Sequence, residues 1–266
     1  MRAEEVWQPS KRLDRGNAAE QILVDLREGI LSGRLARGAK LPTEKKLADA
    51  YGVSGPTVRE AIRGLTTTRL IEVRHGSGAY VTADPDQLIA VSLVSMIQLE
   101  RVGVSDLLGV LNALNVYAAE LAAVHATTAD IAAMRESLDV ISKTSKPEEI
   151  AEGLTRFLSV LSEAGGNPIL AALCRFLARI QIGLARKSSG QSLESWRKTT
   201  SKLTKTRKGL VDAIEGRDRE AARTAARAYG EQSRDVIADS QSVKTALMSG
   251  SAMAELLESL LKHEAT

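Results

Sequence analysis

The apolar residues near the start of the chain recur with the period of a helix. Ile22, Leu26 and Ile30 lie on one stripe, and Gly33 follows as a residue suited to a helix end. The pattern predicts an amphipathic helix over 17–31. Residues 1–16 are polar, carry both signs of charge and show no such period, which is typical of a flexible arm.

Two further helical patterns follow, separated by a glycine. Thr43 can cap the first helix, and Gly52 can end it. Ser54 can cap the second, where Pro56 is tolerated in the first turn because no backbone donor is needed there. The apolar faces of the two helices are formed by Leu47, Ala48, Tyr51, Val58, Ala61, Ile62 and Leu65. Two helices joined by a short glycine-containing turn predict a helix-turn-helix.

After Leu70 the period of the apolar residues becomes that of a strand. Residues 71–73 and 79–81 are short β-prone runs on either side of 74–78, the sequence Arg-His-Gly-Ser-Gly. They predict a hairpin with a glycine-rich tip. A hairpin at this distance from a helix-turn-helix indicates a winged helix-turn-helix over 17–82.

From residue 87 onward no strand-like alternation is present. The polar, proline-containing segment 83–86 indicates a linker, and 87–266 is predicted to be an all-α, antiparallel helical bundle. We therefore expect a mainly α protein of two domains. The predicted helices of the second domain span about 87–101, 105–125, 128–142, 147–164, 168–187, 192–215, 218–238 and 244–263.

The composition of the 266 residues narrows the class of protein. With 44% hydrophobic but only 3% aromatic residues, the core must be aliphatic and alanine-rich. The single cysteine, Cys174, has apolar neighbours and is interpreted as a buried structural thiol in a reducing, cytoplasmic protein. We expect no secretory signal and no membrane span. The excess positive charge lies in residues 1–85, which hold 14 Lys+Arg and 11 Asp+Glu, as expected for contact with phosphates.

The region 21–81 resembles the DNA-binding domain of GntR-type bacterial regulators. The resemblance rests on many positions in register, among them the runs 41–44, 56–61 and 75–78. It implies that the second helix of the motif enters the major groove and the wing enters the minor groove. The candidate DNA-binding residues are Lys45, Ser54, Gly55, Pro56, Thr57, Arg59, Arg63, His75 and Gly76. Gly55 is a departure, since many relatives carry an arginine there.

The second half resembles the FCD ligand-sensing domain of the FadR-like branch of this family. The similarity rests on Phe157, on Gly166-Asn167 and on the run 210–222. It implies a dimeric helical bundle. Many such domains bind a metal through one Asp and three His, but the corresponding positions here are Leu154, Leu158, Arg207 and Tyr229. No histidine lies between 126 and 262, so we predict neither a metal site nor a cofactor.

A carboxylate-binding arginine of many relatives is also replaced. Leu111 stands in its place, with Asn115 instead of the usual Glu. If a cavity persists, it is apolar and suits a hydrophobic or lipid-like effector, with Arg207 and Tyr229 as polar groups. The candidate effector residues are Leu111, Asn115, Leu154, Leu158, Arg207 and Tyr229. In the alternative, core side chains fill the cavity and the domain binds no ligand.

These observations favour a sequence-specific regulator rather than an enzyme. We expect a homodimeric repressor that binds an inverted-repeat operator in double-stranded DNA. The alternative is a constitutive DNA-binding regulator whose helical domain only dimerises. An aminotransferase-like enzyme fused to the same DNA-binding domain requires a longer α/β half, so no catalytic residues are predicted. The apolar stripe of 253–261 predicts one more amphipathic helix, packed on its own subunit, on its partner or over the cavity.

Overall fold

The computed structural model describes residues 8–10, 17–82, 84–188 and 193–238. The chain forms two compact units that divide between Leu88 and Ile89. The predicted fold class is confirmed: a winged helix-turn-helix precedes an all-helical unit. The second unit begins along the helix that starts at Pro85, so the last two residues of the predicted linker are helical. The predicted helix at 244–263 lies outside the described residues.

The described part of the first unit contains three complete helices and a two-stranded wing. They are α1 (Ala18–Leu31), α2 (Glu44–Tyr51), α3 (Gly55–Thr67), β1 (Ile71–Arg74) and β2 (Gly78–Val81). The strands are antiparallel, with Ile71 paired to Val81 and Arg74 to Gly78. Gly76 and Gly78 have positive φ at the tip, a backbone conformation that glycine adopts without strain. The wing therefore folds as its glycines predict.

A buried carboxylate joins the helices of the first unit. Asp25 of α1 accepts a 2.7 Å hydrogen bond from the Tyr51 hydroxyl and a 3.0 Å bond from Arg34. Ser10 of the predicted arm donates its hydroxyl and its backbone amide to Asp25, the amide over 3.2 Å. Burial raises the pKa of Asp25, but these hydrogen bonds from Ser10, Tyr51 and Arg34 outweigh it, so the net pKa is lowered. Asp25 is thus held ionised between α1 and α2.

The second unit contains eight described helices. They are α4 (Pro85–Leu99), α5 (Val104–His125), α6 (Thr128–Lys143), α7 (Pro147–Glu163), α8 (Pro168–Ser188), α9 (Leu193–Ser201), α10 (Thr204–Glu215) and α11 (Arg219–Ala238). Thr127 and Asp130 form a complete capping box at the start of α6. Pro147 and Pro168 open α7 and α8, where a missing backbone donor is tolerated.

The order of contacts along α5 and α11 shows that these helices are antiparallel. Glu120, near the end of α5, accepts hydrogen bonds from Arg219 at 3.1 Å and Arg223 at 2.6 Å, near the start of α11. Further along α11, Gly230 lies against Asn112 of α5, and a Cβ there would overlap the Asn112 side chain. Glycine at 230 therefore allows the two helices to approach closely.

The prediction of one helix over 192–215 was wrong. The structure has two helices, α9 and α10, separated at 202–203. The residues before the break carry hydroxyls that bind the backbone of their own helix. Thr200 donates to the Trp196 carbonyl at 3.0 Å, and Ser201 donates to the Lys198 carbonyl at 2.9 Å. Such bonds compete with the helical ladder and favour a break.

The sequence predicted no membrane span, and two described helices are nevertheless long and apolar enough to cross a membrane by length and composition alone. Val104–His125 and the segment Pro168–Arg186 each pass such a test. Half or more of each tested window is buried in the helical unit. Core helices of soluble proteins have the same properties, so the finding is weak evidence for a membrane span.

Candidate DNA interface and effector cavities

The start of α3 is a capped turn at the surface. Ser54 caps the helix by accepting a 3.4 Å hydrogen bond from the Thr57 amide, and the two hydroxyls lie 2.8 Å apart. Ser54 and Pro56 are exposed, while Gly55 and Thr57 are half-buried. The opposite face of α3 is buried in the core through Val58, Ala61, Ile62 and Leu65. The predicted base-facing residues therefore lie at one accessible helix end.

Arg59 is held in position by a carboxylate of the preceding helix. Its Nε and Nη2 atoms donate to Glu44 Oε2 at 3.1 and 2.9 Å. The hydrogen bond and charge of Glu44 raise the pKa of Arg59. Both side chains are accessible to solvent. The contact links α2 to α3 and orients the Arg59 side chain towards Glu44. The sequence placed Arg59 among the DNA contacts but did not predict Glu44 as its partner.

The remaining predicted contacts are also accessible. Lys45 and Arg63 are exposed on α2 and α3, and His75 and Gly76 are exposed at the tip of the wing. These four residues are on three different elements of one unit. The structure leaves each of them at the surface.

The wing carries a cluster of cations that sequence reasoning missed. Arg74 stacks over the Tyr80 ring, 4.8 Å from its centroid, and the Lys40 ammonium lies 5.8 Å from the same centroid. The Tyr80 hydroxyl is 2.7 Å from the Ser77 hydroxyl. Cation–π contact of this kind fixes long side chains. A tyrosine among basic residues in a predicted hairpin is the signal that could have revealed the cluster.

Four of the predicted effector residues surround one small cavity in the helical unit, which we call the inner cavity. Leu154, Leu158, Arg207 and Tyr229 line it together with Trp196, among others, and its volume is about 30 Å³. Leu111 is absent from the lining and packs instead in the cluster formed by α4, α5, α8 and Ile237 of α11. Asn115 is buried outside the lining as well, and its Oδ1 has no hydrogen-bond partner among the described residues.

Burial dominates the electrostatics of the inner cavity. Arg207 is 1% exposed, and desolvation lowers the pKa of its guanidinium. Desolvation raises the pKa of Tyr229, and the nearby charge of Arg207 opposes that rise. Tyr229 packs edge-on against Phe157, with 6.3 Å between ring centroids. Burial therefore disfavours the charged forms of both polar groups that line the inner cavity.

A second, larger cavity lies on another side of Arg207, and we call it the outer cavity. Its volume is about 220 Å³, and it lies between α6, α9 and α10. The described residues that line it are Leu138, Ile141, Ser142, Arg197, Thr200, Ser201, Thr204 and Arg207. Only Arg207 belonged to the predicted effector set. This cavity was not predicted, because the break between α9 and α10 was not predicted either.

No candidate metal centre is found in the described ranges: no group of three or more His, Cys, Asp or Glu side chains there could hold an ion. Cys174 is buried, and burial raises the pKa of its thiol to about 12. At that pKa the thiol is protonated at neutral pH, so it is a poor nucleophile and a poor ligand.

Two family profiles match the chain. Residues 18–81 match the profile of bacterial regulatory proteins of the gntR family, and residues 106–232 match that of the FCD domain. The first match coincides with the winged helix-turn-helix, and the second covers most of the helical unit. The resemblances inferred from the sequence motifs are thus confirmed.

Similar proteins agree with these matches. An uncharacterized HTH-type transcriptional regulator of Mycobacterium tuberculosis, Rv0494, is 30% identical over 66% of this chain and 72% of its own length. The galactonate operon transcriptional repressor of Escherichia coli is 26% identical over 79% of this chain and 92% of its own. A solved structure, Streptococcus agalactiae GntR, is 24% identical with a TM-score of 0.60 and covers 82% of this chain and 99% of that chain. It supports the fold.

Proposed function

The chain belongs to the GntR family of bacterial regulators and is a DNA-binding transcriptional regulator with an FCD domain, and from this premise we propose that it represses transcription by binding an inverted-repeat operator as a homodimer. The observation that carries the proposal is the exposed first turn of α3, with Arg59 held by Glu44 beside it. A related repressor of a galactonate operon supports the sign of regulation.

The mode of DNA recognition follows from the geometry of the first unit. The N-terminal turn of α3 presents hydroxyls and backbone amides, which bind phosphates, and Arg59 follows one turn later, where an arginine can read a guanine. Exposed His75 and the cations beside Tyr80 support a position of the wing next to the backbone or the minor groove. Bases are then read by α3, and phosphates fix the register.

The second copy of the chain is proposed to dock on an apolar stripe of α5. Val110, Tyr117 and Val124 are spaced at heptad intervals and are 53%, 47% and 55% exposed. Heptad spacing is the spacing at which two helices keep one seam in contact. Two copies of α5 related by a two-fold axis would cover this stripe, as an inverted-repeat operator requires.

The dimer proposal is tested with a charge placed in the stripe. Tyr117→Glu should lower the dimer fraction seen by light scattering and weaken operator binding in a gel-shift titration. Val140→Glu is the matched control, because Val140 is an exposed valine on α6, outside the stripe. A wild-type monomer at micromolar concentration, or equal dimerisation of Tyr117→Glu and wild type, would exclude α5 as the interface.

The helical unit is proposed to sense a small effector. The inner cavity has room for about one water molecule, so the lipid-like effector suggested by the sequence would have to displace core side chains. Buried Arg207 nevertheless disfavours a helical unit that serves only dimerisation, since an arginine without a carboxylate partner costs stability. In the constitutive alternative, operator affinity is the same with every small molecule tested.

The operator and the sign of regulation can be tested together. Selection of bound duplexes from a random pool should yield an inverted repeat, with half-sites about one helical turn apart or a multiple of that. A reporter controlled by the selected site should become more active when the regulator is deleted. A bound sequence without two-fold symmetry would contradict the homodimer, and a fall in reporter activity would identify an activator.

A further inference from the structure

The outer cavity has an unusual chemical lining. Among the described residues around it are two arginines, Arg197 and Arg207, and four hydroxyls, but no acidic side chain. The hydroxyls belong to Ser142, Thr200, Ser201 and Thr204, and the apolar part is formed by Leu138 and Ile141. A concave site with clustered cations, hydroxyl donors and one apolar wall is complementary to a small organic anion.

Arg207 is the group that most requires an anion. The residue is 1% exposed, and among the described residues its Nε has no hydrogen-bond partner and its Nη2 donates only to the backbone carbonyl of Thr200. Its surroundings in the described structure include the hydroxyl of Tyr229 but no carboxylate that bonds to it. A buried guanidinium normally lies against a carboxylate or phosphate. An anion in the outer cavity would supply that missing partner.

Two further features favour an anion at the same place. Arg197, an exposed residue of α9, reaches back to the Thr144 carbonyl, and this contact holds its guanidinium at the rim of the cavity. The first turn of α10 has no side-chain cap, and Thr204 at that turn lines the cavity. Uncapped amides at a helix start favour a negative charge.

The volume of the outer cavity limits the size of the ligand. A cavity of about 150 Å³ accommodates benzene, so about 220 Å³ suits a molecule of roughly nine non-hydrogen atoms. We infer that the outer cavity binds a small organic anion, with Arg207 and Arg197 on its oxyanion group and Leu138 and Ile141 on its apolar part. The oxyanion is a carboxylate or a phosphate, because both fit a guanidinium.

By this inference the proposed effector is an anion, and it binds in the outer cavity rather than in the inner cavity. The role of the anion as an effector rests on the proposed function, whereas anion binding itself is measured without DNA. Benzoate is a suitable probe because its size matches the cavity. Benzamide has the same shape without the charge, and inorganic phosphate separates a phosphate site from a carboxylate site.

The experiment is calorimetric titration of the full-length protein with each probe. We expect benzoate or phosphate to bind and benzamide to bind at least tenfold more weakly, because benzamide cannot form charge-assisted hydrogen bonds with the guanidinium groups. Binding of benzoate would identify an organic acid, and binding of phosphate alone would identify a phosphorylated ligand. Equal binding of benzoate and benzamide, or no binding of either anion at millimolar concentration, would overturn the inference.

Variants locate the bound anion. Arg197→Gln should weaken binding about tenfold, whereas Lys198→Gln removes the same charge from an exposed position of α9 outside the lining and should leave affinity unchanged. Arg207→Met should abolish anion binding, and helical content by circular dichroism shows whether that variant is folded. An equal effect of the two α9 variants would mean that the anion binds to general surface charge, which would also overturn the inference.

Gel shifts on the selected operator separate the two proposals. Anion binding without any change in operator affinity would leave the site in place and remove the effector role from the proposed function. Loss of operator recognition altogether would refute the proposed function but not the anion site.

Discussion

Gly55 is the first residue of α3, at the proposed interface with DNA, and it has no side chain. Its replacement by arginine gives a quantitative test of that interface. A Cβ built at Gly55 meets no atom within 4 Å, and its backbone is not in the left-handed region. Gly55→Arg should therefore fold normally. The new guanidinium would extend from the first turn of α3, beside Ser54 and Thr57, towards a phosphate.

The magnitude follows from counterion release. Each phosphate contact adds about −0.9 to the slope of log affinity against log salt concentration. A homodimer gains one contact per subunit, so the slope should steepen by about 1.8. Between about 50 mM and about 200 mM salt, the variant should then lose roughly twelvefold more affinity than the wild type. At the lower concentration it should bind any duplex more tightly than the wild type does.

The assay is fluorescence anisotropy on operator and on unrelated DNA at several salt concentrations. Gly55→Gln is the matched control, because it adds a long polar side chain without charge. It should leave the slope unchanged. Gly55→Ala should also leave the slope unchanged and should stabilise the helix by up to about 1 kcal/mol.

An unchanged slope in a folded Gly55→Arg variant would show that the start of α3 is not next to the DNA backbone. A gain confined to one duplex sequence would show instead that the arginine reads a base. Either result would require a new orientation of the first unit on DNA.

Three further predictions concern single contacts. Arg59→Ala should weaken operator binding by about 1–3 kcal/mol and relax preference at one base, and Glu44→Gln should give a smaller loss by the same gel-shift assay. The pKa of Asp25 is lower in the folded than in the unfolded state. Ionised Asp25 therefore stabilises the fold at pH values above the ordinary pKa of aspartate, and this stabilisation is lost as the pH falls through the folded-state pKa. Tyr51→Phe should reduce that contribution by about 1.5–3 kcal/mol in urea unfolding at neutral pH, and by less in acid. Phe157→Ala should destabilise the helical unit by about 3–5 kcal/mol, measured by thermal unfolding, and a loss below 1 kcal/mol would contradict its buried position.

The sequence by itself determined the elements of the first unit, because their signals are local. Thr43 and Ser54 each cap a helix by accepting a hydrogen bond from the backbone amide three residues further along the chain. Gly76 and Gly78 specify the turn of the wing through their own backbone angles. Apolar spacing identified the buried faces of α1 and α3. Such information lies within one or two turns of the chain, so it can be read without the fold.

The tertiary structure alone decided which side chains share an environment. Glu44 and Arg59 are both polar surface residues in sequence, and only the angle between α2 and α3 makes them a pair. Glu120 is buried beneath two arginines of α11, although it lies in an otherwise apolar stretch of α5.

The cavities proposed to bind an effector also depend on tertiary packing. Sequence comparison grouped Leu111 with Arg207, but helix packing directs Leu111 to a different apolar cluster. The break between α9 and α10 creates the outer cavity, and its size depends on how three helices meet. A cavity is the space left between elements distant in sequence, so no local pattern encodes its position, its volume or the charge of its lining.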